Sequence, residues 1–176
     1  AVLRGGVCLA RTTMAGMDHA ALAETPGTDG AVLNVVEGGQ ALSDFRSRAL
    51  LTALQAQVPQ ITGLSARHVH WVASDAPLAP PAAQTLVSLL TYGEPYTGPD
   101  ADPGTSALIV VAPRLGTVSP WASKATDIVH NCGVGIRRVE RVTEYRLTGG
   151  AVSGAEWSAC ADLLHDRMTE SVLTTR

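Results

Sequence analysis

The sequence predicts an α+β fold: an antiparallel sheet with helices packed on one face. Three observations carry this reading. Four short stretches rich in apolar residues read as strands, at 32–36, 66–73, 107–112 and 138–147. Four longer stretches follow a helical period, each with Ser or Pro at its start, residues that favour helix initiation. The two kinds alternate along the chain, and the strands that alternate in polarity keep one polar face, as a sheet covered on one side does. With 176 residues, 45% of them hydrophobic and 16% charged, the chain suffices for one core with some peripheral material.

Residues 1–30 read as a flexible or non-native extension. Arg4 precedes an apolar run at 7–10 that is too short for a secretory signal, and 24–30 (ETPGTDG) has the composition of a linker. The folded domain is expected from Ala31. Its first strand, 32–36, leads to a turn at Gly38 and Gly39. Ser43 caps a helix whose inner stripe is Leu42, Phe45, Ala49, Ala53 and Ala56, widened by Leu50 and Leu54, until Pro59 ends the pattern. In strand 66–73, Val69, Trp71 and Ala73 face one way, and His68 and His70 the other. Two histidines on one face invite a metal, but a third ligand would have to come from elsewhere; solvated rings or a domain contact are the competing readings. Pro80 and Pro81 open the second helix, Leu86, Leu89 and Leu90 turn inward, and Gly93 stops it. Pro95, Gly98, Pro99, Asp102, Pro103 and Gly104 exclude regular structure from the loop that follows.

After strand 107–112, the segment PRLGTVSPWASKATDIVHNCG (113–133) is the most heavily specified in the chain. Pro113 and Gly116 mark a turn, Ser119 and Pro120 take the N-cap and first helical positions, and Gly133 ends the helix. Trp121, Ala125, Ile128 and Val129 share one side, while Lys124, Asp127 and Asn131 crowd the other. Lys124 and Asp127 are spaced to pair, and His130 suits the negative end of the helix dipole. In strand 138–147, Val139, Thr143, Tyr145 and Leu147 share one face. Arg138, Glu140, Glu144 and Arg146 share the other with Val142, a face expected to be solvated, with an inter-domain contact as the alternative. Residues 151–176 hold the last helix, opened by a capping box of Ser153 and Glu156. Trp157, Cys160, Ala161, Leu164, Met168 and Val172 form its stripe, so that it runs almost to Arg176.

Several functions are excluded or disfavoured at this level. A net charge of −3 gives no electrostatic footprint for nucleic acid, and no apolar run approaches the length of a membrane span. The chain holds no glycine-rich phosphate loop ending in Lys and Ser or Thr, no HExxH, no GxSxG and no CxxC pair. Cys8, Cys132 and Cys160 are odd in number and widely spaced, which suits a reducing cytoplasm. His130 and Cys132, two residues apart, point to different sides of a helix and cannot form a nucleophile and base pair. Cys160 reads as a small buried hydrophobe, and His165, beside Asp162 and Asp166, as a helix-surface residue.

The 113–133 segment resembles the signature of the N-terminal domain of the large single-chain phosphoribosylformylglycinamidine synthases. The shared features are the turn glycine, the Ser-Pro-Trp helix start, the Lys/Ala/Thr/Asp register and the His-Asn-Cys-Gly end. Ala112, Leu115, Val118, Ala122 and Val129 depart from the family pattern, which costs the turn a second proline. Segments QALSDFRSRALL (40–51), LTYGE (90–94), RVERVTEY (138–145) and LHDRMTE (164–170) fall in the same order as in that domain, so the resemblance spans about 32–172.

The resemblance implies a domain similar to a fused pair of the small stand-alone subunit of the multi-subunit enzyme. Residues 31–150 would be an N-terminal assembly domain, and 151–176 the last helix or the start of a linker region. Partners would be the synthase, linker and glutaminase domains of the same chain, with no nucleic acid and no membrane. The implied reaction is an ATP- and glutamine-dependent step of purine biosynthesis, forming formylglycinamidine ribonucleotide from formylglycinamide ribonucleotide. Catalytic residues, ATP and Mg²⁺ would belong to the other domains; no cofactor, metal site or catalytic residue is expected in this stretch. Arg114, Ser119, Trp121, Lys124, Asp127, His130 and Asn131 would form the inter-domain contact. Arg114 beside a helix N-terminus could also hold an anion, although lone basic residues at such turns are commonly structural. A stand-alone binding or assembly module of the same fold is the alternative.

Overall fold

The computed structural model describes residues 23–26, 30–98 and 106–174. Among them are six strands, β1 (Ala23–Pro26), β2 (Val32–Gln40), β3 (Ile61–Ser74), β4 (Ser106–Pro113), β5 (Arg138–Gly149) and β6 (Glu170–Leu173). Four helices join them, α1 (Asp44–Gln57), α2 (Pro80–Leu90), α3 (Pro120–Asn131) and α4 (Gly154–Leu164). All strands belong to one sheet of order β1-β2-β3-β5-β4-β6, antiparallel at every pairing. The fold is α+β, with the helices on one face. The order β-α-β-α occurs twice, as β2-α1-β3-α2 and β4-α3-β5-α4, and the halves meet in the long β3–β5 ladder, where Val69 lies opposite Val142. The equivalence reaches the backbone: Gln40 N–H donates to Glu94 C=O, and Arg114 N–H to Thr169 C=O, in each case joining the end of a half's first strand to the segment after its second helix.

Two clusters form the core between sheet and helices. Leu54 and Val58 from the α1 region and Cys160, Ala161 and Leu164 of α4 pack on Ile61, Ile109, Val111 and Leu147. Leu86 and Leu90 of α2 and Val129 of α3 pack on Val36, Val72 and Val139. These are odd residues of β5 and even residues of β3 down to Leu64, consistent with cross-strand partners sharing a face. Ser43, Ser119 and Ser153 each accept a backbone N–H at the expected N-cap, the last within a complete capping box.

Six expectations need correction. Ala23–Pro26 lies within the proposed 1–30 extension yet pairs with β2, because the polar linker composition says nothing about an edge backbone seeking partners; the remainder of 1–22 and 27–29 lies outside the described residues. Gly38 and Gly39 are not a turn but a bulge inside β2, where a Cβ on Gly38 would sit 2.8 Å from the His70 ring. The stripe of α1 is rotated: Leu50, Leu51 and Leu54 face the core, while Phe45, Ala49, Ala53 and Ala56 are exposed, since the larger aliphatic residues win the buried side. Ile128 of α3 is likewise exposed. The even face of β5 is not solvated: Glu144 and Arg146 are buried, with Arg67 of β3 donating to Glu144 Oε2 at 3.1 Å. Finally, α4 ends at Leu164. His165 turns extended, and β6 then adds to the free edge of β4, which leaves Met168 exposed and carries Val172 onto the sheet.

Candidate functional site

β4 separates from β5 after Val111 pairs with Thr143, and the segment 114–119 departs from the sheet to begin α3. The gap beside β5 is filled by Glu140 and Arg138. Ser119 Oγ accepts the Ala122 N–H at 2.9 Å and donates to Glu140 Oε1 at 2.7 Å. Arg138 donates to Glu140 and to the Thr117 carbonyl, at 3.1 Å for the latter. Gly116, with φ of +82°, makes the turn that this anchoring closes.

Trp121 then lies over the sheet. Its ring stacks on His70, with centroids 5.5 Å apart and planes 26° apart, and the Arg141 guanidinium sits 4.8 Å from its centroid. His70 is fully buried; its Nε2 lies 2.9 Å from the Tyr92 hydroxyl, which also accepts from Arg141 at 3.4 Å. Burial lowers His70 to about 4, opposed by a backbone hydrogen bond with Val36, while His68 and Arg141 add to the lowering. His68 is lowered to about 4 by burial and then by Arg141. Both rings are therefore neutral at pH 7. His70 is thus a stacked, hydrogen-bonded fixture under α3 and His68 a half-buried ring at the cleft, and among the described residues no three His, Cys, Asp or Glu side chains converge as a metal-holding set.

Two concavities flank α3. A cleft of about 520 Å³ lies between the 113–121 segment and the approach to β6, floored by His68, Arg141 and Thr143, with Arg114 and Glu170 on its walls. A smaller apolar groove of about 310 Å³ separates α2 from α3, lined by Leu89, Tyr92, Ile128 and Lys124 among others.

The residues singled out from sequence thus divide. Ser119 and Trp121 face the cleft and hold α3 to the sheet. Lys124 borders the groove, while Asp127, His130 and Asn131 lie on the exposed side of α3. Lys124 and Asp127 form no ion pair among the described residues. His130 does more than complement the helix dipole, since its Nε2 lies 2.8 Å from the Ile136 carbonyl and ties the helix end to the turn before β5. Sequence reasoning missed Glu140, Arg141, Tyr92 and Glu170. Arg141 had a readable signal: it sits between Val139 and Thr143 on the apolar face of an alternating strand, where an arginine needs a reason.

The fold and this site define a duplicated α+β domain whose second half carries a specialised turn and helix start. The family model for the formylglycinamide ribonucleotide amidotransferase N-terminal domain matches residues 67–176, more than half of the chain. The chain belongs to that family, and with it to purine biosynthesis. The match begins within β3, so it contains the whole second half and the part of the central ladder from Arg67 to Ala73.

Proposed function

We propose that this chain is the non-catalytic N-terminal domain of a formylglycinamide ribonucleotide amidotransferase, a ligase that uses ATP and glutamine to form formylglycinamidine ribonucleotide. Family membership supports the reaction. One observation supports the role: α3 is rigidly anchored through Ser119, Trp121 and His130, yet turns Lys124, Asp127 and Asn131 outward, all exposed. A fixed helix with an unneutralised polar face is suited to orient a neighbouring domain. Such an enzyme must carry ammonia from a glutaminase to an activated substrate without losing it to water, and an assembly domain helps to keep that path closed. The partners are accordingly the synthase, linker and glutaminase domains, in the cytoplasm. ATP and Mg²⁺ are assigned to the synthase domain, in keeping with the lack of a phosphate-loop motif in this sequence.

The test is charge reversal at Lys124 in the complete enzyme. Lys124→Glu is exposed, so the domain should fold normally. Glutamine-dependent activity is expected to fall about fivefold or more while activity with added ammonium is largely kept, since rim charges set docking register. Unchanged glutamine-dependent activity would remove α3 from the contact.

A further inference from the structure

We propose that the cleft between the 113–121 segment and β6 is a binding site for a small phosphate monoester. Five arginines of the described residues, Arg67, Arg137, Arg138, Arg146 and Arg167, are each paired with a carboxylate. Of the other four, Arg46 and Arg48 lie on the exposed side of α1, while Arg114 and Arg141 both line this cleft without such a partner among the described residues. Arg141 is held in place by Trp121 and Tyr92 without being neutralised by either. Beside it, His68 Nδ1 is buried without a hydrogen-bond partner, and its neighbour across the ladder, Thr143, also lines the cleft. A forked cation, a second cation at the rim, and ring and hydroxyl groups able to donate are the groups that recognise phosphate oxygens. The cleft's carboxylates do not fill this role: Glu140 is engaged by Arg138 and Ser119, and Glu170 accepts from the Asp166 N–H.

The duplication supplies an internal comparison. The equivalent position in the first half, after β2, also has a concavity, but Gln40, Asp44 and Glu94 line it, with no basic residue. Only two residues separate Gln40 from the N-cap Ser43, whereas five, 114–118, separate Pro113 from Ser119. The cations therefore do not come with the fold: Arg114 belongs to the longer turn of the second half, and Arg141 to β5. This site does not use Lys124, Asp127 or Asn131, the outward residues of α3 on which the proposed inter-domain contact rests.

Calorimetric titration of the protein with inorganic phosphate, and then with ribose 5-phosphate, tests the proposal. Saturable binding at one site is expected, weakened about tenfold by Arg141→Met and about threefold or more by Arg114→Ala, as for loss of charge-assisted hydrogen bonds. Arg48→Ala, on the exposed side of α1, should leave it unchanged. Arg114 is exposed, so its variant tests the site even if Arg141→Met weakens the fold, which circular dichroism would reveal. Absence of saturable binding, or equal loss in the Arg48 variant, overturns the proposal. So does unaltered phosphate binding by the Arg114 and Arg141 variants accompanied by weaker association with the synthase domain, which would make the cleft a protein contact.

Discussion

The Ser119 hydroxyl accepts from the first turn of α3 and donates to Glu140 on the strand beneath it, so one atom sets both where the helix begins and where it sits. Ser119→Ala should cost about 1–2 kcal/mol in denaturant unfolding, the sum of a lost cap and an unsatisfied carboxylate partner. Ser119→Asp would keep the cap but face Glu140 with a like charge, and should recover only part of that loss. The histidines beneath α3 make a second residue-scale prediction. Their native values lie at about 4, below the ordinary 6.5. Between these values the unfolded chain binds more protons than the native one, so stability is full above 6.5 and falls as pH drops toward 4. Unfolding midpoints at pH 7 and pH 4.5 should show this fall, and His70→Gln should reduce it. Ser119 and Trp121 were legible from the sequence, because capping is local and a tryptophan after Ser-Pro is conspicuous. Tyr92 and Glu140 were not legible, because their roles exist only once β5, α3 and the 91–98 loop are brought together, whereas Arg141 is marked in the sequence only by its place on the apolar face of β5.

At the scale of elements, caps and punctuation predicted helix starts well: α1, α3 and α4 begin after the serines that cap them, and Gly133, at φ +77°, follows the end of α3. Ends and edges were harder. The end of α4 carries no Gly or Pro, and the apolar residues Met168 and Val172 continue the helical period. What stops the helix is the unpaired edge of β4, which accepts β6 as an extra strand. Gly149 closes β5 at φ +136°, and a Cβ there would collide with the Gln60 carbonyl. Gly149→Ala should therefore lower stability by more than about 1 kcal/mol. Gly135→Ala, where nothing lies within 4 Å and φ is not positive, should be close to neutral in the same assay.

Across the whole molecule, the helix-free face of the sheet holds an ionic network. Glu144, fully buried, lies between Arg67 and Arg146, and Arg67 also reaches Glu37 and stacks on Tyr96. Glu144→Ala would leave two buried arginines facing each other, and should cost about 3–5 kcal/mol. Replacing Arg67, Glu144 and Arg146 together by apolar residues of similar volume should recover most of that loss, measured by thermal or denaturant unfolding. Alternation along β5 points these side chains toward solvent, because a polar face is commonly an exposed one, yet the paired charges let this face close over itself. By itself, the sequence determined the fold class, the four helices, the capped start of α3 and the family, because periodicity, capping and a dense local signature are written within a few residues of one another. Only the tertiary structure decided that the polar face of β5 is buried, that two edge strands complete the sheet, and that Arg114 and Arg141 share one cleft. Those outcomes depend on which distant strands pair and in what register, and no local spacing encodes that.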